Sequence, residues 1–371
     1  MERGRRKVSS RRLMPAEWEP HEATWLAFPH HRTDFPGKLA ALPWTFAEVA
    51  RILAEGERVR LLCRDAAERS RARRIFGDAG VDLSRVDFLL RETNRSWLRD
   101  SMPLWVYAGK TREAVKFRFD GWSRYRDHRA DDAAGVWVAK RHGKMVQPAL
   151  PGGQDVILEG GSIDVDGEGT LLTTEECLLT SPRARFRAIA TETRREVAEQ
   201  VLAETLGARH VVWLPNGIVG DDTSGHVDDF ARFVPGGRVV VCDEPNRRDE
   251  NHLPLRRAQK VLSRATTSSG RRLEVIQLPM PAPVYYRGDR LPASYANFYI
   301  SNSAVLVPVF NDPLDRAALD ILAACFADRP VVGVYCRDLV LGLGTLHCST
   351  MQQPVASPQR RRSSAKTSTA Q

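Results

Sequence analysis

One cysteine differs from the others in its surroundings. Cys348 lies in the segment LGLGTLHCSTMQQP at 341–354, where Gly342 and Gly344 predict a turn just before a short polar stretch. A thiol placed there can face a cleft and act as a nucleophile, although a buried structural thiol remains the alternative. The two glycines do not form a dinucleotide-binding loop, because His347 stands where that motif requires glycine.

A histidine and an acid form the second candidate pair, in GDDTSGHVDDFARF at 220–233. If 226–233 is a strand, His226 and Asp228 point to the same face, because side chains alternate along a strand. An unpaired carboxylate is costly in a dry core, so the pair suits a functional surface or a solvated strand end. A metal site is less favoured, since the sequence offers no further closely spaced histidine or cysteine.

Two further segments carry acids next to aromatic or glycine residues. In NRSWLRDSMP, Asp100 follows Trp97, and an aromatic ring beside an acid is a suitable partner for a flat cation. In VILEGGSIDVDGEGT, Glu159 is predicted to end an apolar strand, and Gly160 and Gly161 allow a ligand to approach the backbone closely. Each segment alone is equally typical of an ordinary turn or a solvated strand end.

The net charge of +9 is concentrated at the two ends of the chain. Residues 1–12 carry +5 and residues 355–371 carry +4, which leaves residues 13–354 without formal net charge. A neutral body is not typical of nucleic-acid or membrane binding. We therefore expect one domain at 13–354 between two disordered basic tails, at 1–12 and 355–371.

The cysteines and the start of the chain indicate a cellular compartment. The six cysteines include no C-x-x-C pair and lie mostly in apolar runs, which is typical of buried free thiols. No apolar run approaches the roughly 20 residues of a membrane span. The basic start runs straight into LMPAEWEP, without the apolar segment of a signal peptide. We expect a cytoplasmic protein.

These residues need a scaffold, and the periodicity of the sequence predicts an α/β one. Apolar residues recur at helical spacing around 43–55, 65–76, 184–206, 253–264 and 313–325. The β-branched runs RVRLLC, VVWLP, LEVIQL and VVGVYC follow these helices, and alternating segments such as GTLLTT, DFARFV and RVVVCDE precede them. The repeated order of strand, strand, helix, strand indicates a ring or solenoid of α/β units rather than a doubly wound sheet.

Taken together, these segments resemble the agmatine deiminase family of the guanidino-group-modifying (pentein) superfamily. The resemblance runs from MPAEWEPHEATWLAFP through WLRDSMP, VILEGGSIDVDGEGTLLTTEECLL, DDTSGHVDDFARFV and ASYANFYISNSAVLVPVFNDPLD to LHCSTMQQP. It implies a five-bladed α/β propeller of strand-strand-helix-strand units around a central channel. It also implies hydrolysis of agmatine to N-carbamoylputrescine and ammonia, in putrescine and polyamine biosynthesis, and a homo-oligomer.

The resemblance assigns roles to particular residues. It implies that Cys348 is the nucleophile and His226 its proton partner, with catalytic carboxylates at the positions Asp228, Glu159 and Asp100. We expect substrate contacts from Asp100, Asp228, Trp97, Gly160 and Gly344. Departures from the family pattern occur at Met102, Leu343, Thr345 and Asp164, which border the expected channel.

The chemistry expected of this set is attack on a guanidinium carbon. Asp100 and Asp228 can accept paired hydrogen bonds from the planar cation, and Cys348 can form a covalent thiouronium that water then hydrolyses. His226 transfers the protons, and Glu159 is expected to orient its ring. The partners are thus a small cationic guanidine and water, with no metal or organic cofactor and no membrane.

Three alternatives stay open at this point. The same chemistry serves arginine at a peptide terminus or another guanidine. An amidinotransferase would pass the amidino group to an amine instead of water. A different class of protein, an inactive scaffold that binds RNA through its basic tails, would keep the fold alone, although the neutral body argues against nucleic acid as a partner.

Overall fold

The computed structural model describes residues 12–150 and 152–357. Its strands are β1 Arg12–Leu13, β2 His21–Ala27, β3 Arg58–Cys63, β4 Val86–Leu90, β5 Leu104–Ala108, β6 Thr111–Val115, β7 Lys144–Val146, β8 Ile163–Val165, β9 Thr170–Thr174, β10 His210–Leu214, β11 Ala231–Val234, β12 Arg238–Asp243, β13 Glu274–Pro279, β14 Tyr285–Tyr286, β15 Asp289–Arg290, β16 Tyr299–Ile300, β17 Val305–Val309, β18 Val331–Tyr335 and β19 Met351–Pro354. Its α-helices are α1 Leu42–Ala54, α2 Ala66–Asp78, α3 Leu98–Ser101, α4 Arg129–His142, α5 Arg194–Leu206, α6 His252–Leu262, α7 Asp315–Cys325 and α8 Leu346–Ser349.

Five mixed sheets repeat one arrangement. Four of them begin with an antiparallel pair and add a parallel third strand after a helix, and these are β5-β6-α4-β7, β8-β9-α5-β10, β11-β12-α6-β13 and β16-β17-α7-β18. In the fifth sheet, β2, β3 and β4 are parallel and connected by α1 and α2, while β19 supplies the antiparallel partner of β2. The fold is therefore mixed α/β, and the predicted strand-strand-helix-strand repetition is confirmed.

Helices cover the sheets and divide the core into two apolar clusters. One cluster contains Trp25 and Trp105, and the other contains Phe46 and Val240, all of them buried. The central strand β12 is almost continuously apolar, as expected for a strand that pairs on both sides under a helix.

Most of the predicted elements are confirmed. The helices expected at 43–55, 65–76, 253–264 and 313–325 correspond to α1, α2, α6 and α7. The runs RVRLLC, VVWLP, LEVIQL and VVGVYC form β3, β10, β13 and β18. The six cysteines are all buried and free, as their apolar neighbours indicated.

The helix predicted at 184–206 is wrong in its first half, because α5 begins only at Arg194. The amides of Arg185 and Phe186 donate to the carbonyls of Cys177 and Leu178, at 3.1 Å each, and so cannot enter a helical ladder. The strand predicted to end at Glu159 is also wrong. The segment before it makes only isolated bridges, such as the one between Arg118 and Ile157.

The strand predicted at 226–233 is wrong in its first half. Val227–Asp229 form a 3-10 turn, and the strand β11 begins only at Ala231. The amides of Gly225 and His226 donate to Asp221 Oδ2 at 2.6 and 3.0 Å, which bends the chain before the strand can start. The argument from strand alternation therefore does not explain how His226 and Asp228 are oriented.

No helix was predicted at 129–142, where α4 carries Gly135 in its interior. A Cβ at this position would lie 2.0 Å from the carbonyl oxygen of Ser101 and 2.4 Å from Lys116 Cε. The glycine therefore lets α4 pack closely against the segment that follows Asp100. A break in the helical pattern here marks close packing rather than the end of a helix.

Most of both predicted tails, residues 1–11 and 358–371, lies outside the described residues. Arg12, at the end of the predicted N-terminal tail, lies in β1 and donates to Glu113 Oε2 at 2.8 Å. Val355 donates its amide to the carbonyl of Pro20 at 3.1 Å. Within the described ranges, none of the helices has the length and apolar character that crossing a bilayer requires.

A pair of glycines tests the packing of β1 against the end of α5. Gly207 and Gly80 each follow a helix with nearly the same positive φ, +76° and +75°, but only a Cβ at Gly207 would meet another atom, Arg12 O at 2.0 Å. We expect Gly80→Ala to cost about 1 kcal/mol from backbone strain. Gly207→Ala should cost roughly 1–3 kcal/mol more from the clash. Urea unfolding measures both, and equal losses would contradict the packing.

Candidate active site

A cleft of about 250 Å³ opens between the polar ends of several sheets. Its lining includes the predicted residues Cys348, Asp100, Trp97 and Gly344. Its other lining residues are Thr33, Asp34, Arg95, Trp122, Tyr125, Asp222, Thr223, Leu341, Gly342 and Leu343. The four predicted residues come from segments more than two hundred positions apart, so the fold brings them together.

In the turn before Cys348, Gly344 lies close to both the thiol side chain and the ring of Trp97. A Cβ at Gly344 would lie 2.9 Å from Cys348 Cβ and 3.1 Å from Trp97 Cζ3, so only glycine fits between them. Leu343 has φ +67°, a left-handed conformation that is strained for a branched side chain. The turn is therefore tightly constrained, and it starts the short helix α8 with the thiol facing the cleft.

Asn297 holds the nucleophile segment from the other side, and the sequence analysis missed it. Its Oδ1 accepts from the Thr345 hydroxyl at 2.7 Å, and its Nδ2 donates to Cys348 Sγ at 3.1 Å and to Asp229 Oδ1 at 3.0 Å. The sequence feature that could have identified Asn297 is its side-chain amide within the aromatic run ASYANFYIS, because a buried polar residue there needs partners.

Gly161 is the point around which the histidine and two acids gather. A Cβ at this position would lie 2.6 Å from His226 Nδ1 and 3.0 Å from both Asp100 Oδ1 and Asp228 Oδ2. Gly160, which was predicted to bind substrate, is not among the residues that line the cleft. Its Cβ would lie 2.3 Å from the carbonyl oxygen of Arg99, so its small size serves the packing of α3.

Asp100 is fixed by two donors. Trp122 Nε1 donates to its Oδ2 at 2.9 Å, and the amide of Gly161 donates to its Oδ1, also at 2.9 Å. The carboxylate is buried at the start of the cleft, in the four-residue helix α3. Burial is the main cause that raises the pKa of Asp100 to about 6, against the attraction of His226.

His226 is buried beneath the cleft between two carboxylates. Its Nδ1 lies 3.9 Å from Asp100 Oδ1, and its Nε2 lies 3.8 Å from Glu159 Oε2. Burial disfavours the charged ring, but Asp100 and the other acceptors outweigh it and raise the pKa of His226 well above its usual value. The neighbouring acids therefore favour the protonated imidazole, which is the form that can give up a proton.

Glu159 makes its strongest contact with an arginine that was not predicted. Arg185 Nε donates to both oxygens of Glu159, at 2.7 and 2.9 Å, and both side chains are fully buried. Although burial alone would raise the pKa of Glu159, Arg185 and His226 hold it at about 2. Glu159 is thus a fixed negative charge near the imidazole rather than a direct hydrogen-bond partner at 3.8 Å.

Asp228 lies beside the thiol of Cys348. Its Oδ2 is 3.7 Å from Cys348 Sγ and 2.6 Å from Nδ1 of His347, while its Oδ1 is buried without a hydrogen-bond partner among the described residues. Burial opposes its ionisation, but the hydrogen bond to His347 lowers the pKa of Asp228. Burial and the charge of Asp228 raise the pKa of the neighbouring Asp229 instead.

The thiol itself is poorly ionised in this setting. Burial raises the pKa of Cys348 well above its usual value, and the charges of Asp228, Asp229 and Asp100 raise it further. A thiolate is the reactive form, so the site needs an added positive charge close to the sulfur before attack. The surplus of acids around a thiol suits a cationic ligand.

Among the described residues, two groups of side chains could also hold a metal ion. The donor atoms of Glu159, Cys177 and His226 lie within 4.8 Å of one another, as do those of Asp228, Asp229 and Cys348. In the first group, both oxygens of Glu159 already accept from an arginine. The second group contains the thiol itself, and its acids are chemically matched to a planar cation with N–H donors.

Comparisons with known proteins agree on one family. The family model described as Porphyromonas-type peptidyl-arginine deiminase matches residues 13–354. Agmatine deiminase of Pseudomonas aeruginosa (strain LESB58) is 34% identical over 92% of this chain and 95% of the relative. Agmatine deiminase of Stutzerimonas stutzeri (strain A1501) is 35% identical over the same shares.

Solved structures resemble the whole fold. Agmatine deiminase of Enterococcus faecalis has a TM-score of 0.83 at 28% identity, covering 95% of this chain and 99% of that chain. A Cys-to-Ser variant of Campylobacter jejuni agmatine deiminase, with substrate bound, has a TM-score of 0.80 at 28% identity, covering 93% and 97%.

The elevated pKa of Cys348 predicts slow alkylation of this thiol. Near pH 8.5, roughly the pKa of an ordinary cysteine, iodoacetamide should modify Cys348 slowly and only more alkaline solution should accelerate it. Asp228→Asn removes a negative charge 3.7 Å from the sulfur, so the pKa should fall and alkylation at the same pH should become faster. Peptide mass spectrometry measures the modified fraction.

The matched control is Asp320→Asn, on the outer surface of α7, which should leave the alkylation profile unchanged. Slower alkylation of the Asp228→Asn variant would contradict the electrostatic account of the thiol.

Proposed function

The chain belongs to the Porphyromonas-type peptidyl-arginine deiminase family, and on that basis we propose that it hydrolyses the guanidinium group of agmatine to N-carbamoylputrescine and ammonia. The observation that carries the proposal is the convergence of one thiol, one imidazole and two acids: Cys348 and Asp100 line the cleft, while His226 and Asp228 are buried next to them. Relatives named agmatine deiminase, at about 34% identity over 92% of the chain, support the choice of substrate.

Binding of the guanidinium follows from the acids. The unpartnered Oδ1 of Asp228 and the carboxylate of Asp100 can accept N–H donors of the planar cation. The ring of Trp97, which packs against Gly344 beside the thiol, gives the cation an aromatic surface. Together these contacts offset the cost of removing the cation from water and hold its carbon near Cys348.

The substrate supplies the charge that the thiol lacks. In the empty site, burial and three acids keep Cys348 protonated. A bound guanidinium, with a pKa above about 12, cancels this negative field and favours the thiolate. The nucleophile therefore becomes reactive only when a cation occupies the cleft.

The reaction then proceeds in two halves. The thiol of Cys348 releases its proton to solvent when the cation binds, and its sulfur bonds to the guanidinium carbon. Protonated His226 then gives its proton to one nitrogen, and that C–N bond breaks to release ammonia. A thiouronium remains on sulfur. Water then attacks the same carbon, His226 takes its proton, and the C–S bond breaks to leave a ureido product and free Cys348.

Glu159 and Arg185 would support His226 in both halves. Glu159 is fixed by two hydrogen bonds from Arg185 and remains ionised throughout, since its pKa is held at about 2. Its charge, 3.8 Å from Nε2 of His226, favours the imidazolium that starts the first half and reappears in the second. We thus assign it the orienting role expected from the sequence.

The outer cleft favours an amine over a carboxylate at the far end of the substrate. Asp34 and Asp222 both line it, and the one arginine that lines it, Arg95, already pairs with Asp34 and Asp127. Asp222 accepts from the Tyr125 hydroxyl and lies 3.7 Å from Arg124 Nε, so it is the acid of the outer cleft that we assign to the ammonium of agmatine, and it disfavours the carboxylate of free arginine. Arginine at a peptide terminus carries the same disadvantage when its carboxylate is free.

Four further features of the proposal concern the whole protein. We propose that the five sheets form the five blades of a pentein propeller with the cleft on its axis, supported by their common strand order. We also propose a homo-oligomer in the cytoplasm, with residues 13–354 as the single deiminase domain. Solution scattering of the purified protein tests the assembly.

Replacement of the nucleophile tests the reaction. Cys348→Ser should reduce ammonia release from agmatine by about 10³-fold or more, because a serine hydroxyl is far less nucleophilic than a thiolate. Cys336→Ser, a buried thiol at the end of β18 and outside the cleft lining, is the matched control and should keep turnover. Undiminished turnover in the Cys348→Ser variant would overturn the assignment.

A substrate series tests the specificity. Agmatine should exceed 1-butylguanidine, which lacks the amine, and 1-butylguanidine should exceed free arginine, with kcat/KM falling roughly 10-fold at each step, or about 1.4 kcal/mol. Ammonia release and detection of the ureido product measure each step. A higher kcat/KM for a peptide with terminal arginine would show that such a peptide, not agmatine, is the substrate. Transfer of the amidino group to an added amine would indicate an amidinotransferase.

A further inference from the structure

His347 directly precedes the nucleophile, yet no step of the proposed reaction uses it. Its ring is buried between two carboxylates from distant parts of the chain. Nδ1 lies 2.6 Å from Asp228 Oδ2, and Nε2 lies 2.8 Å from Glu17 Oε2. Both distances are those of charge-assisted hydrogen bonds, and each ring nitrogen faces a carboxylate oxygen.

His347 thus forms a bridge between Asp228 and Glu17. Glu17, at the far end of this bridge, is firmly anchored. Its oxygens accept from Arg99 at 3.2 Å, from Arg232 at 3.1 Å and from the amide of Ile300 at 2.8 Å. Burial alone would raise the pKa of Glu17. The positive charges of Arg232, His347 and Arg99 instead hold this pKa well below its usual value. Glu17 therefore offers His347 a fixed, ionised acceptor.

The near end of the bridge determines which oxygen of Asp228 stays free. His347 occupies Oδ2, which also lies 3.7 Å from Cys348 Sγ, while Oδ1 is buried with no partner among the described residues. A buried carboxylate oxygen without a donor is costly unless a ligand satisfies it. The free oxygen thus marks the position that a substrate N–H would take.

We propose that His347, held by Glu17, is a positioning residue that orients Asp228 so that Oδ1 faces the guanidinium. This rests on the function proposed above, because it assigns Asp228 to the substrate cation. His347 itself does not touch the reacting atoms. Its backbone carbonyl also accepts from Arg99 Nε at 3.2 Å, so the same arginine anchors both His347 and Glu17.

Two substitutions separate positioning from packing. His347→Asn keeps a donor at the place of Nδ1, toward Asp228, and His347→Gln keeps one at the place of Nε2, toward Glu17. We expect His347→Asn to stay within roughly 10-fold of the parent kcat/KM and His347→Gln to lose roughly 100-fold, mainly through KM for agmatine. Urea unfolding should give both variants similar stability.

Equal losses, or a greater loss in the Asn variant, would overturn the proposal, since a purely structural histidine gives no reason for that order. If neither variant folds, nitrogen NMR of the isotope-labelled parent decides. Protons on both ring nitrogens of His347 support the bridge, and one bare nitrogen refutes it. That measurement needs no substrate. A parent protein that releases no ammonia from agmatine would refute the proposed function and leave the bridge testable.

Discussion

A carboxylate can stay ionised inside a protein only when cations or several donors accompany it, and this requirement organises the centre of the molecule. Glu159 is matched by Arg185, and Glu17 by Arg99 and Arg232. The acids nearest the thiol have partners of a different kind. Within residues 12–150 and 152–357, Asp100 and Asp228 form no pair with an arginine or lysine and contact imidazoles and neutral donors instead. The positive charge missing there is the charge that a guanidinium brings.

Local patterns predicted the parts of the molecule that depend on local physics. Strand and helix periodicity located most elements, because each element buries one side regardless of its distant neighbours. The unusual polar stretch around Cys348 and the acid beside Trp97 identified two residues that line the cleft. The failures arose where side chains redirect the backbone, as at His226, whose amide is held by Asp221.

Pairing over long distances could not be predicted in the same way. Arg185 appeared only as part of a helical pattern, and nothing local connects it with Glu159. Asn297, His347 and Glu17 likewise gain their roles from partners far along the chain. A single sequence displays which residues can ionise, but the fold decides which charges meet. The assignment of Gly160 shows the same limit, since its neighbour Gly161 is the glycine in contact with the site.

The pairing of β19 with β2 has a consequence for how the protein is made. The strand that follows Cys348 completes a sheet whose other members were synthesised roughly three hundred residues earlier. Contacts of such long sequence separation form late, because closing the intervening loop costs entropy. A nascent chain on the ribosome therefore exposes its acids for most of its synthesis while the sulfur is still absent. The site is therefore complete only when β19 pairs with β2.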